Sequence, residues 1–373
     1  MKRLLLMGGG HAHLAVLEAL ARTPIAGLET TLVTPSPYQT YSGMLPGWLA
    51  GYYALDDCRI DLRPLVTAAK VRLVLDQTTG LDADGQQAFT AVGQTYPYDL
   101  ASLDIGSDSA LEGLLACAER LLPIRPLDGF LQAWTDILQT AQQEKDYTLA
   151  VVGGGAAGVE LALAIQYAFQ QSTPANPTAS VHLVTPSLLA GHATGVVKRV
   201  KQQLADSGIQ LHLSRAHGDP LGLQLQNGTH LPAHCILAAT GAKAAPWLAS
   251  SGLAIDGQGY IQVNNQHQSV SHANVFAAGD VCSRSHPHFS RSGVHAVYAG
   301  KALAHNLPAF LNGETLRSYM PKPRSLYLLA TGSKHAIASW GEWSAAGHWV
   351  WRWKDYIDRG FIQKYRRPLG AQR

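Results

Sequence analysis

The strongest constraint on the fold is a glycine-rich stretch in mid-chain, LAVVGGGAAGVE at residues 149–160. Gly153, Gly155 and Gly158 follow a short apolar run, and the residues after them have the apolar spacing of a helix. A second apolar run, SVHLVTPS at 180–187, predicts the next buried strand. This order of strand, glycine turn and helix is typical of the βαβ unit that binds a dinucleotide, because glycine lets backbone N–H groups approach the pyrophosphate.

The N-terminus carries a second copy of this pattern. Residues 2–20 read KRLLLMGGGHAHLAVLEAL, with Gly8 and Gly10 at the first two glycine positions. His13 takes the third position, where glycine permits close helix–strand packing, so we expect a slightly displaced helix and an intact phosphate site. We expect His11 to lie in the loop, where it either donates to a phosphate or faces solvent. The sequence therefore predicts two dinucleotide-binding domains.

Composition and cysteine spacing narrow the classes of protein to which the chain can belong. The 373 residues carry a formal net charge of +3 and no long basic run, which argues against a nucleic-acid partner. Cys58, Cys117, Cys235 and Cys282 are far apart in sequence, so they indicate neither a secreted disulfide framework nor a CxxC site. The apolar run at the N-terminus is too short for a secretion signal, and none reaches the roughly 18 residues of a membrane span. We predict a reduced, cytoplasmic protein.

Neither unit carries the acid that normally binds the adenosine ribose at the end of the second strand. Thr34 and Thr185 occupy these positions, with Ser36 and Ser187 just beyond them. We assign Ser36 to cofactor binding. Because no acid and no nearby arginine is present, NADH and NADPH both remain open as the co-substrate.

Two further stretches continue the pattern. Residues 236–241, ILAATG, read as an apolar strand that ends in a small turn at Gly241, and Gly106 is assigned to cofactor binding as well. NVFAAGDV, which contains Gly279 and Asp280, is another apolar strand, and the helical pattern GVHAVYAGKALAHNL follows it. This last arrangement resembles the second flavin fingerprint of flavoproteins with two dinucleotide-binding domains. That resemblance implies that Asp280 binds the ribitol chain of FAD.

Nearly the whole chain resembles the pyridine nucleotide–disulfide oxidoreductase superfamily. Within it, the chain is most similar to type II NADH dehydrogenases and to the flavoprotein domain fused to selenide, water dikinase. GGGHAHL, SPYQTYSGMLPG at residues 36–47 and WRWKDYIDRGF at 351–361 carry the second likeness. The resemblance implies FAD as cofactor and NADH or NADPH as co-substrate.

The fold class that follows is α/β, with two Rossmann-like dinucleotide-binding domains, the second inserted in the first, and a C-terminal interface region. We expect the FAD-binding domain to comprise residues 1–120 and 250–320. The NAD(P)H-binding domain is expected at 121–249. Residues 321–373 are expected to form the interface region.

The number and positions of the cysteines limit the redox chemistry that the chain can perform. Disulfide reductases of this superfamily hold two nearby cysteines against the flavin, whereas the matching region here has only Cys58. A thiol–disulfide relay needs both an attacking and a resolving thiolate, so we expect no redox-active disulfide. Sulfide:quinone oxidoreductases also need cysteines beside the flavin, and neither Cys117 nor Cys282 matches such a motif. Cys282, His286 and His288 have metal-ligating side chains without an evident fourth ligand, so we predict no metal site.

The resemblance to type II NADH dehydrogenases implies a role for Glu160, and the positions of Arg291 and Tyr298 suggest roles for these two residues. Glu160, directly after the second fingerprint, would orient the nicotinamide and relay protons to the acceptor; the alternative is a carboxylate that the helix dipole favours. Arg291 would stabilise the anionic reduced flavin or be a surface arginine. Two glutamines line the quinone site in that family, whereas Val294 and Tyr298 stand here, and Tyr298 could stack on a quinone.

The electron acceptor stays open at this stage. We predict hydride transfer from NAD(P)H to FAD and electron transfer to a quinone, with an apolar wall formed by Tyr41, Met44, Leu45 and Pro46. The rivals are a soluble reductase of a sulfur or selenium compound or of a partner protein, and a redox sensor with slow turnover. Homodimerisation is likewise open.

The C-terminal stretch GHWVWRWKDYIDRGFIQKYRR, residues 347–367, bears on that choice. Trp349, Trp351 and Trp353 alternate with other residues, and more aromatic residues follow at helical spacing. Such a segment either lies on the inner face of the cell membrane, where quinones are dissolved, or packs on the FAD domain. The flanking basic residues are Arg352, Lys354, Arg359, Lys364, Arg366 and Arg367.

Overall fold

The computed structural model describes residues 1–172, 178–284, 293–321 and 324–366. In chain order, the α-helices of these ranges are α1 His11–Arg22, α2 Leu45–Leu49, α3 Leu62–Ala68, α4 Leu127–Gln143, α5 Ala156–Ser172, α6 Thr194–Asp206, α7 Gly293–Asn312 and α8 His348–Arg366. Short 3-10 helices are Ser42–Met44, Leu55–Cys58, Leu115–Arg120, Pro246–Ser250 and Gly279–Val281.

The strands of the first half of the chain are β1 Lys2–Met7, β2 Leu28–Thr34, β3 Tyr38–Thr40, β4 Arg59–Asp61, β5 Arg72–Leu75, β6 Thr78–Asp82, β7 Gln87–Thr90, β8 Thr95–Pro97, β9 Leu100–Leu103, β10 Asp108–Ser109, β11 Leu121–Pro123, β12 Thr148–Val152 and β13 Ser180–Thr185. The strands of the second half are β14 Gln210–Leu213, β15 Ala216–Asp219, β16 Gly222–Leu225, β17 His230–Pro232, β18 Cys235–Ala238, β19 Ala242–Lys243, β20 Ile261–Gln262, β21 Val275–Ala277, β22 Cys282–Ser283, β23 Tyr327–Thr331, β24 Ser333–Trp340 and β25 Trp343–Gly347.

Two five-stranded parallel sheets organise the described residues. The first has the order β21-β9-β1-β2-β5 and the second the order β11-β18-β12-β13-β14. In each sheet the strand before a glycine turn pairs with the strand after the following helix. The first sheet takes its strand β21 from beyond the second sheet in sequence. The predicted fold class, two Rossmann-like domains with the second inserted in the first, is confirmed.

Burial explains why these segments form parallel strands. Leu4, Leu5, Leu6 and Met7 of β1 are all at most 2% exposed. A strand covered on both faces is apolar without alternation, as in sheets that carry helices on each side. Helix α1 packs closely on α7 because α7 has a glycine at the contact. A Cβ at Gly300 would lie 2.7 Å from the backbone oxygen of Ala12.

Smaller antiparallel sheets accompany each parallel one. Strands β6-β7-β8 form one meander, and β15-β16-β17 form another between β14 and β18. The described part of the C-terminal region contains the antiparallel sheet β23-β24-β25 and the helix α8. No helix of the described ranges combines the length and the apolar character needed to cross a bilayer.

Helix α8 both docks and presents a free face. On the docked side, Tyr53 Oη donates to Asp355 Oδ1 at 2.6 Å, and Val350 and Ile362 are buried. The exposed side carries large aromatic and aliphatic residues: Trp349, Trp353, Tyr356 and Ile357. The expectation that Lys354 belongs to the basic flank of this segment is wrong, because its ammonium group is buried in an ion pair 2.8 Å from Asp358.

Candidate functional site

The first glycine of each fingerprint lies against the end of a neighbouring strand. Gly8 and Gly153 have φ angles of +88° and +135°. A Cβ on Gly8 would collide with the backbone oxygen of Asp104, directly after β9. A Cβ on Gly153 would collide with the backbone oxygen of Ala239, directly after β18. The two units thus share the packing that makes glycine necessary at this position.

The units differ at the second and third glycine positions. A Cβ on Gly155 would meet open space, whereas a Cβ on Gly10 would collide with the side chain of Asp104. A Cβ on Gly158 would collide with the backbone oxygen of Gly153, so the helix there packs tightly on the strand. The histidine at the equivalent position of the first unit forces a different arrangement.

His13 is buried between β1 and β9. Its Nδ1 lies 2.6 Å from the backbone oxygen of Gly8, and its Nε2 lies 2.9 Å from Ser102 Oγ. Burial lowers the pKa of His13 to about 4, so the ring is neutral at physiological pH. The ring therefore fills the helix–strand contact and bridges it by hydrogen bonds.

His11 departs from the expectation that it lies in the loop. It is the first residue of α1, and its ring packs near Tyr41 and Phe361 at centroid distances of 5.6 and 5.9 Å. Its Nε2 atom is buried and has no hydrogen-bond partner among the described residues. Burial lowers the pKa of His11 to about 4, so the neutral ring offers one N–H donor at the start of the helix.

The predicted glycines beyond the strands also border free space. Gly106 has a φ of +75°, and a Cβ on Gly106 or on Gly241 would meet nothing within 4 Å. Ser107 follows, and its Oγ is buried without a hydrogen-bond partner in the described part of the chain. Ser36 Oγ accepts the N–H of Tyr38 at 3.1 Å, which leaves its hydroxyl proton available.

The predicted flavin fingerprint lies beside the first glycine turn. Gly279 has a φ of +75°, and a Cβ there would lie 2.7 Å from Asp104 Oδ1. The Asp280 side chain is 19% exposed, and its Oδ2 lies 3.6 Å from Arg125 Nη2. The structure therefore brings Gly8, Gly10, Gly279 and Asp280 together, as the sequence predicts for one FAD site.

These features fit FAD. Unsatisfied polar atoms are found on His11, at the start of α1, and on Ser107, next to Gly106, beside which open space lies. Buried polar atoms normally have partners, so atoms without one mark a surface that a ligand completes. The backbone N–H groups of the first glycine turn that precede Ala12 offer donors for a pyrophosphate, and the partly exposed carboxylate of Asp280 offers an acceptor for a ribitol.

Asp104 is a residue of this site that the sequence reasoning missed. It follows β9, is 4% exposed, and its Oδ2 accepts the N–H groups of Ala12 at 2.7 Å and His13 at 3.1 Å. Burial raises its pKa to about 7, and the neighbouring charge of Asp280 adds to the rise. The sequence does contain a signal for this residue, since Asp104 is an acid that stands between an apolar strand and Gly106.

Glu160 lies where α5 meets the C-terminal region. Its Oε1 accepts the N–H of Ala330 in β23 at 2.8 Å. Burial raises the pKa of Glu160 to about 7, Lys354 opposes that rise, and Asp358 adds to it. The carboxyl group is therefore poised between its neutral and charged forms near physiological pH.

Lys354 connects this carboxyl group to the loop of residues 36–47. Its Nζ donates to the backbone oxygen of Gly43 at 2.7 Å and to Asp358 Oδ2 at 2.8 Å. Tyr41 Oη donates to Asp358 Oδ1 at 3.3 Å, and the Tyr41 ring stacks on Phe361 at 4.6 Å. The inward contacts of Lys354 and the stacking of Tyr41 on Phe361 are further features that the sequence did not predict.

The structure describes no contact between the cluster around Glu160 and the other residues that the sequence predicts to be catalytic. Tyr298 lies on α7 with 44% of its surface exposed, and Lys301 Nζ lies 5.8 Å from the centroid of its ring. Val294, on the same helix, is also exposed. Arg291, His286 and His288 lie outside the described residues.

The thiols are buried. None of the four cysteines forms a disulfide, and burial raises the pKa of Cys58 and of Cys235 to about 12. Burial is also the main cause that raises the pKa of Cys117. Because the thiolate is the reactive form, these environments disfavour thiol chemistry. Within the ranges that the structure describes, no group of three or more metal-ligating residues is found.

Residues 2–301 match the family model described as pyridine nucleotide-disulphide oxidoreductase. The chain therefore belongs to this family and is an NAD(P)H-dependent flavoprotein oxidoreductase. FAD and a nicotinamide nucleotide are its cofactors, which confirms the resemblance seen in the sequence.

Relatives and solved structures agree with this assignment. NADH dehydrogenase-like protein MT1860 of Mycobacterium tuberculosis is 27% identical over 301 residues, which cover 76% of this chain and 73% of that protein. The sulfide:quinone oxidoreductase of Aquifex aeolicus superposes with a TM-score of 0.81 at 18% identity, covering 98% of this chain and 92% of that one. NDH2 from Plasmodium falciparum in complex with NADH gives 0.78 at 14% identity, covering 99% of each chain.

Proposed function

We propose that the chain is an FAD-dependent NAD(P)H dehydrogenase that passes electrons to a quinone-like acceptor. The observation that carries the proposal is the buried cluster of Glu160, Lys354 and Asp358. The cluster joins the helix after the second glycine turn, the loop of residues 36–47 and the C-terminal helix α8. A nicotinamide site, a flavin site and an acceptor site would meet at such a junction.

The two ends of the electron path fit the two glycine turns. Bound FAD supplies a ring that accepts hydride from a nicotinamide and passes the electrons on. The backbone around Gly8 and Gly10 and the N–H of His11 at the start of α1 would hold its pyrophosphate, with Asp280 on the ribitol. The N–H groups of Ala12 and His13 donate to Asp104 instead. Gly153 and Gly155 would hold the pyrophosphate of NAD(P)H at the start of α5, where open space lies beside Gly155.

Glu160 is proposed to manage protons at the junction. Reduction of a quinone consumes protons as well as electrons, so a buried acid with a pKa of about 7 suits the task. Lys354 holds positive charge beside it and is fixed by Gly43 and Asp358. Glu160 would thus orient the nicotinamide and release or take up a proton as the acceptor is reduced.

The acceptor is proposed to enter along the loop of residues 36–47 and α8. The name of one structural relative includes quinone as its substrate. Met44, Leu45 and Pro46 are buried in this loop, and Tyr41 stacks on Phe361 of α8. Tyr298 is proposed to contact the acceptor from α7. We propose that no disulfide takes part, since the thiols are buried with raised pKa values.

The free face of α8 is proposed to lie on the inner surface of the cell membrane. Trp349, Trp353 and Tyr356 are 54%, 37% and 79% exposed, and Arg352 lies on the same face. Aromatic residues with neighbouring cations are typical of helices that bind the lipid interface. A quinone dissolved in the bilayer would then have a short route to the site.

A vesicle-flotation assay tests the membrane contact. Trp353→Ser with Tyr356→Ser should lose most of the binding to anionic vesicles that the unaltered chain shows. The control is Leu221→Ser, which removes a residue that is 63% exposed in the turn between β15 and β16. Equal binding of all three proteins would contradict the membrane proposal and leave the dehydrogenase proposal standing.

Steady-state reduction of a soluble quinone by NADH and by NADPH tests the dehydrogenase itself. Glu160→Gln should lower kcat by about 100-fold or more, the size expected when a proton-transferring group is lost. The nucleotide with the higher kcat/KM identifies the co-substrate. Wild-type kcat in Glu160→Gln would contradict the assigned role of this residue.

The domain boundaries are retained as a proposal. Residues 1–120 and 250–320 would bind FAD, residues 121–249 would bind NAD(P)H, and residues 321–373 would form the interface with the acceptor. The positions of the two parallel sheets in sequence support this division.

A further inference from the structure

Asp104 holds a buried carboxyl group at the N-terminus of α1, where the FAD pyrophosphate is expected. Its Oδ2 already accepts two N–H groups of that helix, from Ala12 and His13. The equivalent position of the second unit is Ala239, which follows β18 as Asp104 follows β9. The acid therefore belongs to the flavin unit and is not a requirement of the βαβ fold.

The other carboxylate oxygen of Asp104 faces the flavin fingerprint. A Cβ on Gly279 would lie 2.7 Å from Asp104 Oδ1, and the charge of Asp280 disfavours ionisation of Asp104. Asp280 has a cation close by, with Arg125 Nη2 at 3.6 Å. No ion pair within the described ranges joins Asp104 to a cation.

A bound FAD would add the negative charges of a pyrophosphate to these two carboxyl groups. Like charges close together in a buried site cannot all remain ionised, and the group with the greatest burial and no cation protonates first. That group is Asp104. Because burial raises its pKa to about 7 before any phosphate is present, little further change is needed.

We propose that Asp104 is a neutral carboxylic acid in the FAD-loaded protein and that FAD binding takes up one proton from solvent at this group. Oδ2 continues to accept the two helix N–H groups, and the proton resides on Oδ1, on the side of Gly279 and Asp280. Asp104 is thus a positioning residue that completes the cofactor cradle as a hydrogen-bond donor. The inference rests on FAD as cofactor and not on the identity of the electron acceptor.

Other titratable groups around Asp104 do not account for such a proton. His11 and His13 on α1 have pKa values of about 4, so both are neutral above about pH 6. Asp280, in the turn that packs on Oδ1, lies beside Arg125. Ser102 on β9, which contacts His13, does not titrate.

The affinity for FAD should therefore depend on pH with a definite sign. We would titrate full-length, FAD-free protein with FAD and follow flavin fluorescence from about pH 6 to about pH 8.5. Below about pH 7 the Kd should be constant, and above it the Kd should rise by a factor approaching about tenfold per pH unit. Asp104→Asn keeps the shape and an acceptor for Ala12 but cannot ionise, so its Kd should be independent of pH.

Two further measurements make the assignment decisive. Calorimetry of FAD binding to the unaltered chain at about pH 8, in two buffers of different ionisation enthalpy, should show uptake approaching one proton; this needs no variant. Glu160→Gln removes a second buried carboxyl group whose pKa is about 7 and should leave the pH dependence of FAD binding unchanged. A pH-independent Kd of the unaltered chain, no proton uptake, or a pH dependence that persists in Asp104→Asn but disappears in Glu160→Gln would overturn the proposal.

Discussion

Replacing Glu160 by glutamine should stabilise the protein at alkaline pH although it slows turnover. Burial raises the pKa of this carboxyl group from 4.5 to about 7. One pKa unit corresponds to about 1.4 kcal/mol, so ionised Glu160 lowers the free energy of unfolding by about 3 kcal/mol at alkaline pH. Glutamine keeps the acceptor for the N–H of Ala330 and never ionises. The attraction of Lys354 to Glu160 is already included in the shifted pKa.

The sign of this effect fixes its pH window. An acid with a raised pKa favours the folded state while it is protonated, and that contribution is lost as the pH rises from about 4.5 through about 7. The free energy of unfolding of Glu160→Gln should therefore equal that of the unaltered chain near pH 4.5. By about pH 8 the variant should be more stable by about 3 kcal/mol, an upper value because side chains relax around a buried charge.

Urea unfolding at about pH 5 and about pH 8, with the same excess of FAD, measures this difference. The matched control is Glu342→Gln, since Glu342 is an exposed glutamate in the turn between β24 and β25. The control should change stability by less than about 0.5 kcal/mol at either pH. If Glu160→Gln is less stable than the unaltered chain at pH 8, the idea that ionisation of buried Glu160 costs folding stability is refuted.

Other substitutions test separate parts of the site. Gly153→Ala should lower the free energy of unfolding by about 2 kcal/mol or more, because its φ is +135° and its Cβ would collide with Ala239. Gly155→Ala should leave the stability of the nucleotide-free protein unchanged and weaken NAD(P)H binding, since its Cβ would fill open space. Thermal melts measure the stability of both variants and nucleotide titrations measure their binding. Equal melting temperatures of Gly153→Ala and Gly155→Ala would contradict the packing difference between the two glycines. Tyr41→Phe removes the hydroxyl that donates to Asp358 at 3.3 Å and should cost about 1 kcal/mol in urea unfolding. No loss in Tyr41→Phe would mean that this hydrogen bond adds nothing.

The fold could be predicted because its signals are local. A glycine turn between an apolar strand and a helix is contained within a few tens of residues, and the chain shows it at Gly8 and again at Gly153. Each unit places its two strands side by side in parallel, β1 with β2 and β12 with β13, and these pairs form the centre of the two confirmed sheets. The juxtaposition of Gly279 and Asp280 with the first turn was also anticipated, through the resemblance to a family.

The electrostatics of the site could not be predicted in the same way. Asp104 acquires its role only because β9 places it against the start of α1, far away in sequence. Lys354 lies among basic and aromatic residues, so the sequence placed it in the basic flank of a segment that either lies on a membrane or packs on the FAD domain. In the structure, α8 turns Lys354 inward toward Gly43. His11 begins the helix rather than lying in the loop, because the turn ends one residue earlier than expected.

Anaerobic double-mixing stopped-flow tests the central claim most directly. Purified protein would be mixed with NADH or NADPH, then with a soluble quinone, while the absorbance of oxidised flavin is followed. The account predicts fast loss of the flavin absorbance with one nucleotide and fast recovery with the quinone. Loss without recovery by quinone would contradict the proposed acceptor, and no loss with either nucleotide would contradict the dehydrogenase itself.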